Sequence, residues 1–429
     1  MFEADTKTQR LQEAKDMAKK TVADISVKGK KVLMRVDFNV PMDPQQNITD
    51  DSRIKGALPT IQYVLHGGGS VILMSHLGRP KGGTKEPKYS LAPVAKQLGE
   101  LLKKPVQFVD DCVGSKVKKA VEKMKSGDVL MLENVRFHKE ETIKDKEAKE
   151  DAQLRKAKDD FAAQLADRAD VYVDDAFGTA HRDNASMYTV PMLMEGKDRV
   201  IGFLIEKELK YLGDTVNQAE KPFVAILGGA KVSDKIKVIE NLMHKVDVII
   251  IGGAMAYTFF KAQGRNIGKS LCEPDFADKA NELLEQAGQI GCQILLPADT
   301  VIAAEFKANA PHKVVRGDIP DDWQGLDIGP ESRKIFAEKI KTAKTIVWNG
   351  PMGVFELEPF DAGTKAVAIA VAEATDRGAR SVIGGGDSAS AIQKLGLADR
   401  VSHISTGGGA SLEFLEGKKF KCLDILDEK

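Results

Sequence analysis

FVAILGGAK (223–231) is an apolar run that stops in a pair of glycines and a lysine. So apolar a run suits a strand covered on both faces, as in a parallel sheet. Three more runs in the second half end the same way: VDVIIIGGA (246–254), ARSVIGGGD (379–387) and VSHISTGGGA (401–410). In the first half the equivalent runs end in charged and amide side chains. KVLMRVDFNV (31–40) runs into Arg35, Asp37 and Asn39, and SVILMSHLGRP (70–80) into Ser75, His76 and Arg79. DVLMLENVRF (128–137) runs into Glu133, Asn134 and Arg136, and ADVYVDDAF (169–177) into Asp174 and Asp175. Helix-length amphipathic runs alternate with these strands, the pattern of an α/β chain with parallel sheets and covering helices. Open α/β sheets bind ligands outside the carboxyl ends of their strands. The first half therefore reads as a side-chain grip on a small anion. The second reads as a backbone cradle for phosphates, with a lysine or two.

At 429 residues the chain is too long for one ordinary core, so two or three domains are expected. The segment 187–222 carries one helical stripe, Ile201, Leu204, Ile205, Leu209 and Leu212, between Pro191 and Pro222. It reads as a stiff helical connector between two α/β domains. Lys+Arg and Asp+Glu both number 63, which argues against bulk binding to nucleic acid or an anionic membrane. Any anion site must be a local concentration of cations. No apolar stretch has the eighteen or so residues of a membrane helix. Cys112, Cys272, Cys292 and Cys422 are scattered without a C-x-x-C pair, so reduced thiols in a cytoplasmic protein are expected rather than zinc or disulfides. Residues 1–16 are mixed-charge and lack the apolar core of a signal peptide. They read as a dispensable extension. Segment 138–169 is laced with charge around sparse anchors, Phe161 and Leu165, and reads as a solvated helix face.

Several motifs carry chemistry. GRNIGKS (264–270) is one residue short of a phosphate-binding P-loop and reads as an ordinary loop. GGGDSA (384–389) fits G-x-G-x-x-A, but the ribose-binding acid expected about twenty residues on is missing, which weakens a dinucleotide reading. Glycines before a helix still leave N–H groups free for phosphate oxygens. Asp387 is either a helix N-cap or a ligand for a divalent metal lying between it and the phosphates. GGAKVSDK (228–235) sets Lys231 just after a tight turn and Lys235 about one helical turn later, where both could face one anion. In the first half Arg53, His76, Arg79, Arg136 and Arg182 all fall at or just after strand ends. Guanidinium groups match phosphate and carboxylate geometry. His181 is a sixth contact or a turn residue.

RVDFNVP (35–41), SHLGRP (75–80), ENVRF (133–137), DDAFGTAHR (174–182), LGGAKVSDK (227–235), NGPMGVFE (349–356) and GGGDSA (384–389) together resemble the phosphoglycerate kinases. The resemblance runs, in order, from Met17 to the C-terminus. It implies two Rossmann-like domains with parallel sheets facing each other across a cleft, joined by the helical connector. The N-terminal domain would span 17–200 with 417–429 packed back on it, and the C-terminal domain 201–416. It implies that Asp37, Phe38, Asn39, Arg53, His76, Leu77, Gly78, Arg79, Arg136, His181 and Arg182 hold 3-phosphoglycerate or 1,3-bisphosphoglycerate. Lys235, Gly253, Gly325, Leu326, Asn349, Pro351, Glu356, Gly385, Gly386, Asp387 and Ser388 would bind ATP or ADP. Within that set Gly253, Gly325 and Leu326 would line the adenine, Glu356 would meet the ribose, and Asp387 would hold Mg2+. Arg53, Lys231, Gly408 and Gly409 would serve the transfer itself. A cytoplasmic monomer is implied. The family usually has Thr where this chain has Ser388, and often Gly where it has Ala254.

Such chemistry needs no base. A carboxylate ionises near pH 4 and is already a nucleophile at neutral pH, as is the phosphate of ADP. The protein must align two anions and neutralise charge on the moving group. Two alternatives stand beside this reading: a nicotinamide-dependent oxidoreductase resting on GGGDSA, and a silent nucleotide-binding module, which would be free to lose Lys231, Arg53 or Asp387.

Overall fold

The computed structural model describes residues 19–429, so the expected extension at 1–16 lies outside the described residues. The chain forms two compact units, one running up to Leu209 and including Lys419–Lys429, the other Lys210–Lys418.

The first unit is built on β1 (Lys31–Val36), β2 (Ser70–Met74), β3 (Gln107–Val109), β4 (Val129–Leu132), β5 (Val171–Asp175) and β6 (Asp198–Ile201). Their order is β3-β4-β2-β1-β5-β6, and every pairing is parallel. Alternate residues of β1, Val32, Met34 and Val36, bury one face against Ile54, Ala57, Ile61 and Val64. Those four recur at helical spacing along Ser52–His66, so one stripe of that helix faces the sheet. From β1 the chain crosses to β2 on one side, while β5 lies on the other. The carboxyl ends of β1 and β5 are thus a switch point, where such sheets leave a crevice.

The second unit repeats this plan with β7 (Phe223–Leu227), β8 (Val248–Ile251), β9 (Gln293–Leu295), β13 (Thr345–Asn349), β14 (Arg380–Gly384) and β15 (His403–Ile404). The order is β15-β14-β13-β7-β8-β9, again parallel throughout. Its switch point lies between β7 and β13. Ile226, Ile346 and Trp348 pack on Phe336, Ile340 and Val371 in the core. One element departs from the parallel expectation: β10 (Thr300–Ala303), β11 (His312–Val315) and β12 (Gln324–Ile328) form a small antiparallel sheet.

The connector is a helix, Phe203–Asn217, and the division between the units falls inside it. Its first N–H groups are capped from the end of β5: Leu204 and Ile205 donate to Asp175 Oδ1 at 2.9 and 3.4 Å. Burial pushes this carboxyl up to about 7, since the charged form is poorly solvated there.

The segment 138–169 is not simply a solvated face. Phe161 and Leu165 are buried as anchors, but so are Glu141 and Lys158, both 0% exposed. Lys158 Nζ donates to Asp145 Oδ1 at 2.8 Å and to the Asp183 carbonyl at 2.7 Å. Charges buried in satisfied pairs leave no trace in a hydropathy pattern. All four cysteines are free thiols. The GRNIGKS stretch is a turn, with Ile267 bridging to Ile319.

Candidate functional site

In the second unit a recess of about 630 Å³ opens at the carboxyl ends of β7, β13 and β14. It gathers Lys231, Lys235, Asn349, Pro351, Gly385, Gly386, Asp387, Ser388, Gly408 and Gly409. Its glycines are of two kinds. A Cβ on Gly228 would fall 2.0 Å from the Pro351 carbonyl oxygen, and one on Gly350 2.2 Å from that of Gly228. The turns after β7 and β13 therefore press backbone on backbone, which only glycine permits. Gly386, Gly408 and Gly409, by contrast, would carry a Cβ with nothing within 4 Å. They border the open recess.

Lys235 is buried, and its Nζ donates to Asn349 Oδ1. Burial lowers this ammonium to about 8, and Asp234, Asp387 and Glu416 oppose the shift. Asn349 Nδ2 is buried without a hydrogen-bond partner, a donor left over at the wall of the recess. Ser388 Oγ accepts from the Gly350 N–H at 2.7 Å and so fixes the turn after β13. A threonine would offer the same hydroxyl. Asp387 lies in the first turn of the helix Gly386–Lys394, whose N-cap is Gly385, so the N-cap reading of Asp387 does not hold. Asp387 lines the recess, and a carboxylate is the kind of hard oxygen donor that Mg2+ takes alongside phosphate oxygens. Among the described residues no group of three or more potential metal ligands is preassembled.

The recess does not include Gly253, Gly325, Leu326 or Glu356. Gly253 donates to the Met352 carbonyl at 2.9 Å, and a Cβ there would strike the Gly229 backbone at 2.6 Å. A Cβ on Gly325 would fall 2.1 Å from the Tyr257 hydroxyl, and Leu326 is 4% exposed in the core of the small sheet. Glu356 is exposed in the loop after β13. Sequence reasoning missed Asp234, Lys237, Leu412, Glu413, Glu416 and Lys418, which also line the recess. Leu412, Glu413 and Glu416 follow Gly408 and Gly409 at helical spacing, a signal that was there to read.

In the first unit the cations converge on His76. It is 4% exposed and held well below its ordinary pKa by burial and by Arg35, Arg136, Arg53 and Arg182. Arg136 is lowered to about 10 by burial, then by Arg35 and Arg182. Two like charges about 4 Å apart repel by roughly 4 kcal/mol at an effective dielectric near 20, so such a cluster favours a bound anion. Asp37 is the near carboxylate, paired with Arg53 and 3.9 Å from His76 Nδ1. The loop after β2 is pinned from three sides. Gly78 N donates to Asn39 Oδ1 at 2.8 Å, Arg136 Nη1 donates to the Gly78 carbonyl at 2.7 Å, and Asn134 Nδ2 donates to the Leu77 carbonyl at 2.8 Å. Arg79 and Arg182 are exposed. Phe38 and Leu77 place their side chains in the hydrophobic core, and the Phe38 N–H is taken by Ser75 Oγ. His181 Nε2 accepts from Arg182 Nε at 3.1 Å, while Cys422 Sγ donates to the Arg182 carbonyl at 2.8 Å. Arg35, read from the sequence as a charged strand end but not as a site residue, is 0% exposed and hydrogen-bonded within the unit.

No helix among the described residues is long and apolar enough to cross a membrane. The family model for phosphoglycerate kinase matches residues 22–418. A phosphoglycerate kinase of Chloroherpeton thalassium is 57% identical over 404 residues, covering 94% of this chain and 98% of the relative. One of Rhodopirellula baltica is 55% identical, covering 96% and 100%. The solved structure of phosphoglycerate kinase from Coxiella burnetii superposes with a TM-score of 0.82 at 40% identity, over 95% of this chain and 98% of that one. Neither the nicotinamide enzyme nor the silent module finds support in these relatives. The chain belongs to the phosphoglycerate kinase family.

Proposed function

We propose that this protein catalyses reversible phosphoryl transfer between 1,3-bisphosphoglycerate and ADP, giving 3-phosphoglycerate and ATP. The observation that carries the reading is the recess at the β7/β13 switch point, where Lys231, Lys235 and Asp387 share a rim with open glycines. Lys235, the Asn349 amide and the backbone of Gly385, Gly386 and Ser388 hold the nucleotide phosphates, with Pro351 beside them. Gly253, Gly325 and Leu326 line the adenine and Glu356 meets the ribose. Asp37, Asn39, His76, Arg79, Arg136, His181 and Arg182 hold the glycerate, with Phe38, Leu77 and Gly78 shaping its bed.

Lys231 and Arg53 flank the moving phosphoryl group, and Gly408 and Gly409 offer it N–H donors. Asp387, with phosphate oxygens, would hold Mg2+, which supplies counter-charge on the nucleotide side. Transfer is direct and in line, and each cation offsets charge that grows in the transition state. The two ligands sit on separate units, so transfer requires the units to close and exclude water. The helix Phe203–Asn217 is the proposed hinge element. The protein works as a cytoplasmic monomer on these small molecules.

A coupled assay with ATP, Mg2+ and 3-phosphoglycerate should release ADP only when all three are present. ADP release independent of 3-phosphoglycerate would sink the assignment. Small-angle scattering should show a more compact particle with both substrates than with either alone.

A further inference from the structure

A buried polar chain runs beneath the cation cluster of the first unit. Glu141 accepts from the Ser186 N–H at 2.8 Å, from Ser186 Oγ at 2.7 Å and from Asn184 Nδ2 at 3.2 Å. Ser186 Oγ in turn accepts from Arg35 Nε at 2.9 Å. Arg35 Nη2 lies 3.2 Å from His76 Nδ1. The polarity of this chain is fixed by chemistry. A guanidinium only donates, so Nδ1 can only accept, and a neutral imidazole that accepts at Nδ1 carries its proton on Nε2. The hydroxyl of Ser186 has one proton, and it goes to Glu141.

We propose that Glu141, Ser186 and Arg35 form a positioning chain that locks His76 as the neutral Nε2–H tautomer, so that it meets its ligand as a hydrogen-bond donor rather than a cation. The link to substrate rests on the reading that His76 binds the glycerate. The surroundings agree. Facing His76 are Arg35 from β1, Arg53 from the helix Ser52–His66, Arg136 after β4 and Arg182 after β5. Asp37 Oδ1, the carboxylate nearest Nδ1, is 3.9 Å away, and Asp37 is itself engaged by Arg53. A second proton would make the ring a cation in the field of four guanidinium groups. Ser186 belongs to a π-helical turn, Ala185–Thr189, a rare geometry that recurs at functional sites. Glu141 comes from the charged segment that hydropathy assigns to solvent, yet it is 0% exposed.

The test is long-range proton–nitrogen NMR of the full chain labelled with 15N-histidine, with His76→Gln assigning the His76 signals. The expected spectrum has a bare Nδ1 and a protonated Nε2 from about pH 5.5 to 8, without titration. A protonated Nδ1 or an imidazolium at pH 7 overturns the proposal, whatever the protein's activity. Ser186→Ala cuts the chain. It should let His76 titrate or sample both tautomers, and raise KM for 3-phosphoglycerate about tenfold with KM for ATP unmoved. An unchanged tautomer and unchanged KM in that variant remove the positioning role. The wild-type spectrum decides the tautomer even if Ser186→Ala does not fold. A wild-type protein with the expected tautomer but no turnover of 3-phosphoglycerate contradicts the proposed function alone.

Discussion

The two units share a sheet plan but finish it with different chemistry. At the carboxyl ends of β1, β2, β4 and β5 the work falls to side chains, several of them buried and charged. At the ends of β7, β13 and β14 it falls to bare backbone, with lysines at the rim. A side-chain site is built by what protrudes, so each member is separately replaceable and separately tunable. A backbone site is built by what is absent, so the same residue type both packs the turns and faces the ligand. The contrast predicts that mutations in the first unit act mainly on chemistry and binding, while glycine mutations in the second split into folding and binding effects.

The largest effect should come where the comparison is weakest, at the lysine that the proposed mechanism sets beside the moving phosphoryl group. Lys231→Ala should lower turnover by at least about a hundredfold, since one electrostatic partner of a transition state is typically worth roughly 3 to 4 kcal/mol. Arg53→Ala should fall in the same range, with added loss from freeing Asp37, its ion-pair partner. Steady-state rates on both variants, with circular dichroism to check folding, measure this. Near wild-type turnover in Lys231→Ala would remove that lysine from the mechanism.

Next comes the split among glycines. Gly228→Ala puts a methyl 2.0 Å from a backbone carbonyl, so the turns must part. It should cost about 1 to 3 kcal/mol of stability. Gly386→Ala meets nothing within 4 Å and sits at a helix start, so its melting temperature should stay near wild type. If that backbone faces phosphate, its KM for ATP should rise several-fold all the same. Equal melting temperatures for the two variants would erase the distinction between packing and ligand glycines.

That distinction also marks where the sequence stops being legible. Apolar runs announce β1, β2, β4, β5, β7 and β8, because parallel strands are covered on both faces, and the glycines after Ile383 mark the end of β14. His76 and Arg136 stand out because charge at the end of such a run has no core role, whereas Arg53, expected just after a strand end, lies in the first turn of the helix Ser52–His66. Gly253 and Gly325 look like Gly386 on paper, yet only the fold reveals that backbone and a tyrosine press on them. Lys158 and Glu141 look solvated because partners that bury them, the Asp183 carbonyl and Ser186, come from another segment. The small antiparallel sheet escaped because its outer strand, β11, is largely exposed and short.

A smaller effect concerns protons. Lys235 titrates at about 8 in the ligand-free fold. Bound phosphate favours the charged form, so nucleotide binding near pH 8 should draw a fraction of a proton from solution, and almost none near pH 6.5. Calorimetry in two buffers of different ionisation enthalpy reads that fraction directly. The same lysine makes stability rise with pH between about 8 and its ordinary 10.5, since the unfolded chain binds more protons there. The first unit, whose guanidinium groups remain charged, should show no such uptake when glycerate binds. Equal uptake on both ligands would count against Lys235 as the source.

The smallest effect tests a feature the units have in common. Asp175 in the first and Asp327 in the second are buried carboxyls, each raised to about 7 chiefly by burial, and each accepts from N–H groups at a helix start. For a carboxyl whose folded pKa lies above its unfolded value, the folded state binds the extra proton between the two. Its contribution is therefore fully present below about pH 4 and is lost as pH rises through about 7. Asparagine keeps an acceptor oxygen for the helix N–H groups and cannot ionise. Asp175→Asn and Asp327→Asn should each flatten the decline in melting temperature between about pH 5 and pH 8, by a few degrees at most. Because Asp175 caps the helix inside which the units divide, its variant should also shift how scattering responds to paired substrates. Asp327 caps a helix wholly inside the second unit, so its variant should leave that response alone. If both variants alter compaction alike, helix capping in general, and not the connector, governs closure.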